Sequence, residues 1–311
     1  MLARVADNLY WMGRYLERSE HLARFVKIQY FSALDAPYSH KEEMVLRSLL
    51  AMSAIEAPEQ APEEEVLYRI CLEKENALSL CSSVSFARTN ARGARDMISA
   101  ELWENINKFY HYVTSFPAEG LKSRGMYEFL QQVIMQTSII KGSIENTLLH
   151  DEVWAFIKFG VSLERAFQVI RITQTKLEDV ARIEHSAPNS EPVENYQIST
   201  LLAATEGFDM SRRYYKAPPS RRNALEFLSF NTEFPRSITN CVLHMQEHIQ
   251  RINPGKQTGK GSVEFMIGKL LSHLQYLTIE EIEADPSAFL DETQETLYRI
   301  GEQMNANYLK Y

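Results

Sequence analysis

Apolar residues recur at intervals of three and four along almost the whole 311-residue chain. This spacing lines one face of an α-helix, and no segment shows the alternation between turn signals that indicates a β-hairpin. Clusters of Pro, Gly and Asn interrupt the pattern and leave roughly ten predicted helices between them. These clusters lie at residues 35–39, 57–62, 116–120, 186–194, 216–220 and 253–261. The sequence therefore predicts an all-α, multi-helix bundle.

The end of the chain carries a clear helix signal. Asp285 stands as a predicted N-cap before Pro286, which suits the first position of a helix. The apolar series that follows consists of Phe289, Leu297, Ile300, Met304 and Leu309. We therefore expect an ordered helix at this end of the chain.

Two segments of the chain resemble each other. A shift of 147 residues places residues 13–24 (GRYLERSEHLAR) over residues 160–171 (GVSLERAFQVIR). Five of the twelve positions agree, whereas unrelated helices would agree at about one. The matches are Gly13 with Gly160, Leu16 with Leu163, Glu17 with Glu164, Arg18 with Arg165, and Arg24 with Arg171.

A weaker match, at a shift of 144, sets Phe86 over Phe230 and Arg92 over Arg236, near the predicted starts of two further helices. Together the matches predict an internal duplication. Residues 1–150 form the first repeat with Glu17-Arg18, and residues 151–311 form the second with Glu164-Arg165. We expect both to pack as one compact domain, 1–311, about a pseudo-two-fold axis.

The second Glu-Arg pair falls on a helix that is apolar on nearly every side, which is typical of a core helix. Adjacent residues on a helix point about 100° apart, so Glu164 and Arg165 need partners elsewhere. Because an unpaired buried ion costs several kcal/mol, we predict reciprocal pairs, Glu17 with Arg165 and Arg18 with Glu164. The pairs either fix the packing of two central helices or form a polar functional site.

Two segments resemble the signatures of the Alpha-E family, bacterial helical proteins named for their Glu-Arg motif. They are LARVADNLYWMGRYLERSEHLAR at residues 2–24 and RTNARGARDMISAELWENIN at residues 88–107. With the second LERA and the FPRS segment at 234–237, the resemblance covers essentially the whole chain. It implies no established activity. Members are often encoded beside, or fused to, ATP-grasp ligases and transglutaminase-like peptidases, which implies a peptide-forming or peptide-modifying system with a partner acting in trans.

Arginines supply the candidate anion-binding or substrate-binding residues, because guanidinium groups match carboxylates and phosphates. In the Glu-Arg region the candidates are Arg14, Arg18 and Arg165. A second group is Arg88, Arg92 and Arg95 on one predicted helical face, with Asn90 nearby and Arg236 from the second repeat. The alternative for this second group is ordinary ion pairing with Asp96, Glu101 and other acids.

Two patterns in the sequence resemble metal sites, but neither is complete. The segment HMQEH contains His244 and His248 in an H-x-x-E-H pattern of zinc peptidases, but no third ligand is identifiable. The Glu17-x-x-x-His21 spacing, with Glu20 beside it, lacks the Glu-x-x-His motif of di-iron bundles, and we expect surface ion pairing there instead. No phosphate loop or nucleophile elbow is present. We therefore predict no metal and no cofactor.

Charge and composition restrict the partners. The net charge of −8 opposes broad attraction to nucleic acid or to an anionic membrane. The longest uncharged stretches, such as 129–140, are too short to cross a bilayer, and residues 1–13 contain no uninterrupted apolar core of a signal peptide. The three cysteines, Cys71, Cys81 and Cys241, have no CxxC spacing. A cytoplasmic protein is expected.

Two functions remain open. The first is an accessory or binding protein of a bacterial peptide-ligation or peptide-modification system, acting with an ATP-grasp ligase or a transglutaminase-like peptidase. The second is a helical transferase or hydrolase that uses Glu17 or Glu164 as general base and arginines as an anion pocket. If the four Glu-Arg residues line a solvent-reached pocket, the enzyme is favoured; if they are sealed inside the protein with no adjoining cavity, catalysis there is excluded. The sequence leaves the substrate and the oligomeric state undetermined.

Overall fold

The computed structural model describes residues 1–32, 41–56, 61–121, 123–186, 191–255 and 259–310. The predicted interruption between helices at 35–39 lies outside these ranges. Within these ranges every regular element is helical, so the all-α prediction is confirmed. The prediction of roughly ten helices was too low, because short helices follow each other closely in the second half of the chain. The fourteen helices are α1 (Ala3–Ser32), α2 (Lys41–Ser53), α3 (Glu63–Cys71), α4 (Leu80–Gly93), α5 (Ala100–Thr114), α6 (Ser123–Thr147), α7 (Glu152–Ser186), α8 (Glu191–Ala204), α9 (Phe208–Tyr215), α10 (Arg221–Phe230), α11 (Ile238–Ile252), α12 (Val263–Tyr276), α13 (Ile279–Ile282) and α14 (Pro286–Met304).

Serine and aspartate side chains begin many of these helices. The Ser79 and Ser237 hydroxyls accept hydrogen bonds from backbone N–H groups in the first turns of α4 and α11. Asp285 caps α14 by accepting from the backbone N–H of Ala288 at 3.0 Å, with Pro286 at the first position. The predicted start of the last helix is therefore confirmed, and its predicted apolar residues are buried.

The two longest helices, α1 and α7, pack against each other along the centre of the molecule. At their crossing the backbones approach so closely that only glycine fits. A Cβ on Gly13 would lie under 3.0 Å from the carbonyl oxygen of Ile157, and one on Gly160 equally close to that of Tyr10. The crossing positions the residues that follow each glycine, including both Glu-Arg pairs, at the interface of the two helices.

Other helices cover this central pair. Helices α4, α6 and α8 pack against α1, while α11 and α14 pack against α7.

The prediction that Arg92 and Arg236 both lie near the start of a helix is wrong for Arg92. Arg92 is exposed in the last turn of α4, whereas Arg236 is buried in the turn before α11 begins.

A polar cluster joins α1 and α7 to their neighbours farther along both helices. Lys176 is fully buried and donates to the Asp179 carboxylate and the Gln197 amide oxygen, both at 3.0 Å, and to Gln29. The Ser48 hydroxyl of α2 lies 2.8 Å and 2.7 Å from the two oxygens of that carboxylate. Since every charge in this cluster has a hydrogen-bonding partner, it fixes packing at a tolerable desolvation cost.

Two further observations bear on the sequence predictions. The three cysteines are buried and free. None of the helices in the described ranges combines the length and the apolar character needed to cross a membrane.

Candidate functional site

The predicted reciprocal pairing of the two Glu-Arg motifs is confirmed. Arg18 Nε lies 2.7 Å from Glu164 Oε1, and Arg165 Nε lies 2.6 Å from Glu17 Oε1. Both glutamates are buried, with Glu17 at 0% and Glu164 at 1% exposure. Each carboxylate of one central helix is therefore neutralised by a guanidinium from the other helix.

The Glu164 carboxylate is enclosed by donors. Arg14 donates to Oε2 at 2.8 Å, and Gln168 donates to Oε1 at 2.8 Å, in addition to the two hydrogen bonds from Arg18. Burial alone would raise the pKa of Glu164, but the charges of Arg18 and Arg14 outweigh it and hold the pKa well below its ordinary range. The group is a saturated ion cluster that stays ionised.

Aromatic rings shield the guanidinium of Arg14. Its carbon lies 4.7 Å from the ring centre of Trp11 and 5.5 Å from that of Phe167. Arg14 also donates to the Tyr10 hydroxyl at 3.2 Å. Stacking between rings fixes the guanidinium orientation, as expected for a cation–π contact.

The Glu17 side carries more charges. Lys141 Nζ of α6 lies 2.6 Å from Glu17 Oε2, within ion-pair distance but outside hydrogen-bond geometry. Burial opposes ionisation of Glu17, yet the charges of Arg165 and Lys141 hold its pKa well below the usual value. His21 and Glu20 are buried beside it, so the predicted surface pairing at Glu17, Glu20 and His21 is wrong: helices α6 and α7 cover this face of α1.

A second carboxylate, Glu20, connects the cluster to Arg236. Arg236 Nη2 donates to Glu20 Oε1 at 2.8 Å, and Arg24 donates to the same oxygen at 3.0 Å. Lys141 also donates to Glu20. The half-exposed Glu206 completes the network, 2.8 Å from Arg24 and also paired with Arg236.

His21 contributes no charge to the network. Burial lowers its pKa, so the ring stays neutral at physiological pH. Its Nε2 lies 2.8 Å from Arg236 Nη1, toward which a neutral ring accepts, and 3.2 Å from Glu17 Oε1, toward which it donates, so the tautomer decides which of the two hydrogen bonds forms. Nδ1 is buried without a hydrogen-bond partner.

Glu206 adopts a backbone conformation that normally favours glycine. Its φ of 57° lies in the left-handed region, just beyond the end of α8. Glycine would take this conformation with less strain, by roughly 1 kcal/mol. The conformation places the Glu206 carboxylate against Arg24 and Arg236.

An open cavity of about 450 Å³ adjoins the Glu17 side of the network. Its wall includes Arg165, Lys141 and Arg236, but neither Glu17 nor Glu164. The full lining is Glu20, Arg24, Ser138, Lys141, Arg165, Glu206, Phe234, Pro235 and Arg236. The Glu-Arg region thus reaches solvent through its cations, while both motif glutamates lie behind the wall.

Charge at this cavity does not balance. The cationic side chains are Arg24, Lys141, Arg165 and Arg236, and the carboxylates are Glu17, Glu20 and Glu206. Among the residues that the structure describes, four positive charges face three negative ones, which leaves one positive charge uncompensated. Lys141 is 26% exposed and Arg165 is 18% exposed, so the excess charge is accessible from the cavity.

The second predicted arginine group lies elsewhere. Arg88 donates to the Asn107 amide oxygen at 2.7 Å and stacks on Tyr110 and Trp103. Arg95 also lies over Trp103. Within the described part of the chain, none of the three arginines forms the expected ion pairs with Asp96 or Glu101. Arg92 is exposed, and Asn90 is half-buried. Arg236 has different partners, Glu20 and His21.

The two histidines of the HMQEH segment are arranged for packing. His244 pairs with Glu247 at 2.8 Å and stacks on His248, whose ring contacts Trp154 edge to face. Among the described residues, no cluster of three His, Cys, Asp or Glu side chains forms a metal site. Burial is the main reason that the pKa of His248 falls to about 3.

The depressed pKa of His248 predicts a loss of stability in mild acid. Below about pH 6.5 the unfolded chain binds a proton on this histidine that the folded protein excludes, down to a pH near 3. The free energy of unfolding therefore does not depend on the titration of this histidine above pH 6.5, and below that pH it falls by about 1.4 kcal/mol per pH unit. Urea unfolding between pH 7 and 5 should show at least this slope, to which the buried His21 adds, and His248→Gln should reduce it by about 1.4 kcal/mol per pH unit. An unchanged slope in the variant would contradict the assignment.

Two residues of the network were not predicted from the sequence. Lys141 directly follows the uncharged run 129–140, and an isolated lysine at that place on an apolar helix is a signal for a buried partner. Glu206 gave no such signal, because its role depends on a left-handed conformation.

Comparisons with known proteins agree with the fold and leave the activity undefined. The model of the Alpha-E family, described as a predicted alpha-helical domain with a conserved ER motif, matches residues 1–309. Uncharacterized proteins of Mycobacterium tuberculosis and Mycobacterium bovis are 22% identical over 301 residues, covering 90% of this chain. The chain spans about a third of the length of these curated relatives. No solved structure matches.

Proposed function

Because the chain belongs to the Alpha-E family, we propose that it is an accessory binding protein of a bacterial peptide-ligation or peptide-modification system. Its ligand is a peptide carboxylate, held in the open cavity beside Glu17. One observation carries this proposal: the cavity wall presents an uncompensated positive charge on accessible Lys141 and Arg165. Charge-assisted hydrogen bonds from such groups are among the strongest that a carboxylate accepts.

The size of the excess charge favours a carboxylate over a phosphate. A carboxylate carries one negative charge and would neutralise the cavity, whereas a phosphate near pH 7 carries between one and two. Lys141 has three N–H donors and faces two carboxylates, so at least one donor remains for a ligand. The chain also has no glycine-rich phosphate loop.

The enzyme alternative is less well supported. A general base works best with a pKa near the operating pH and must reach the substrate proton. Glu17 and Glu164 have pKa values held far below neutrality, are saturated by cations, and do not line the cavity. These properties suit fixed structural charges that orient the arginines.

A catalytic partner acting in trans supplies the reaction in this proposal. The family resemblance implies an ATP-grasp ligase or a transglutaminase-like peptidase, and the whole system is proposed to be cytoplasmic. In the mycobacterial relatives the matched region is joined to a further two thirds of chain, which is consistent with a domain that works beside another. Co-purification with such a ligase tests this part of the proposal, and a purified chain that captures no ligase from its own operon would argue against it.

Two substitutions at the cavity should change affinity in opposite directions. Lys141→Met removes the excess charge and should weaken binding of a tripeptide at least tenfold, as expected for a lost charge-assisted hydrogen bond. Glu206→Gln removes a carboxylate that occupies Arg24 and Arg236, and should strengthen binding several-fold. Isothermal titration calorimetry with a free tripeptide and with its C-terminal amide measures both effects.

Matched controls come from the exposed pair Lys108 and Glu104, which lies on α5 away from the cavity lining. Lys108→Met and Glu104→Gln make the same charge changes and should leave the affinity unchanged. If the amide binds as well as the free peptide, or if Glu206→Gln weakens binding, the carboxylate proposal fails.

The two-repeat organisation, 1–150 and 151–311, is also part of our proposal. Several contacts occur twice across the α1–α7 interface, and the 147-residue shift of the sequence comparison exchanges the members of each set. Each helix contributes a glycine that lies against the backbone of the other helix, and the Glu-Arg pairs are reciprocal. Gln29 contacts Lys176, the position that the 147-residue shift places over it. Reciprocal contacts of this kind are expected if a two-fold operation relates the two helices.

A further inference from the structure

A second open cavity lies next to the charged one. Its volume is about 480 Å³, and we call it the aromatic recess. It is lined by Met210, Arg213, Tyr214, Phe227, Asn231, Glu233, Phe234 and Pro235. Phe234 and Pro235 line both cavities, so the two cavities adjoin at this short segment. A ligand that crosses the exposed Pro235 would enter both.

Three rings give the recess its apolar character. Phe227 and Phe234 are buried and stacked, with ring centres 4.6 Å apart. Tyr214 stands 6.0 Å from Phe227 and is 60% exposed, and Met210 is 45% exposed. Tyr214 also makes a T-shaped contact with Tyr215, with ring centres 5.0 Å apart, and its exposed surface above the buried ring floor is available to an aromatic side chain.

The segment between the cavities is held firmly. The Asn231 side chain accepts hydrogen bonds from the backbone N–H groups of Glu233 at 2.9 Å and Phe234 at 2.7 Å. Arg165 donates to the carbonyl oxygen of Pro235 at 3.2 Å. The arginine of the second Glu-Arg pair therefore fixes the partition and also lines the charged cavity, which sets the two cavities in a defined geometry.

We propose that the aromatic recess selects the ligand: it receives an aromatic side chain on the last or next-to-last residue of the peptide whose carboxylate occupies the charged cavity. This inference rests on the proposed carboxylate binding and adds a substrate class to it. An extended peptide advances about 3.3 Å per residue, so neighbouring residues can occupy neighbouring cavities across a single partition. Exposed Tyr214 and Met210 become covered when the side chain is bound.

The test compares peptides that differ only in side chain. Gly-Gly-Phe and Gly-Phe-Gly are titrated beside Gly-Gly-Ala, each as free acid and as amide, into the full chain by calorimetry. We expect at least one of the Phe peptides to bind roughly tenfold tighter than Gly-Gly-Ala, as an apolar pocket with ring stacking provides. Tyr214→Ala should remove most of that gain while leaving Gly-Gly-Ala affinity unchanged.

Tyr276→Ala is the matched control, because Tyr276 is 85% exposed and lines neither cavity. It should retain the preference for phenylalanine. If all three free acids bind equally and amidation abolishes binding, the aromatic inference is overturned and the carboxylate proposal stands. If amides bind as well as acids but Phe peptides still depend on Tyr214, the carboxylate proposal fails and the recess alone binds. If no peptide binds, both fail.

Discussion

Glu164→Gln is expected to lower the free energy of unfolding by about 3 kcal/mol, because the substitution leaves Arg14 and Arg18 without their carboxylate. Glutamine keeps the volume of the side chain, so the loss reports charge and not a cavity. Both guanidinium groups are mostly buried, at 12% and 19% exposure, and they cannot recover full hydration without moving away from the α1–α7 interface. Urea denaturation followed by circular dichroism measures the change.

The control for this prediction is an exposed pair of the same chemistry. Glu295→Gln removes the carboxylate that faces Arg299 on the surface of α14, where the two side chains are 64% and 56% exposed. An exposed pair contributes about 0–1 kcal/mol, so this variant should be almost neutral. A double-mutant cycle with Arg18→Met should give a coupling of roughly 1–3 kcal/mol with Glu164. A coupling near zero would show that the reciprocal pairs do not stabilise the fold.

The reciprocal pairing was predictable because the residues around each Glu-Arg pair carry enough information to show that the pair is buried. The apolar surroundings of Glu164 placed it in the core, and the cost of an isolated buried ion then required a base. The repeated Leu-Glu-Arg sequence supplied that base in Arg18. The same reasoning could not find the other members of the network, since Lys141 in α6 and Arg236 in the turn before α11 reach Glu20 from segments far along the chain.

Helix starts were predictable where a cap residue marks them, as at Asp285, and less so where short helices succeed each other. The match of Arg92 with Arg236 failed because a shared residue type in a short segment carries no information on its place in a helix. The left-handed backbone of Glu206 was equally hidden, because this conformation usually occurs at glycine. The cavity is lined by such residues, so its position could not be predicted from the sequence.

Gly160→Ala is expected to lower the free energy of unfolding by about 3 kcal/mol or to prevent folding. The new methyl group would lie under 3.0 Å from the carbonyl oxygen of Tyr10, and a backbone atom cannot turn aside as a flexible side chain can. Either α1 and α7 separate, or both helices bend, and both responses disturb a closely packed core. Gly13→Ala should behave alike, because its Cβ would meet the carbonyl oxygen of Ile157. Thermal and urea denaturation measure the losses.

The sign of this effect is what makes it informative. In an ordinary helix interior, replacing glycine by alanine stabilises by about 1 kcal/mol, because alanine loses less backbone entropy on folding. Gly142 in α6 provides that reference, since a Cβ there meets no atom within 4 Å, and Gly142→Ala should raise the stability. Opposite signs for Gly160 and Gly142 would locate the tight crossing at α1 and α7. If Gly160→Ala instead stabilised the protein as Gly142→Ala does, the helices would not approach this closely, and the reciprocal Glu-Arg pairs, which need that approach to meet, would lose their geometric basis.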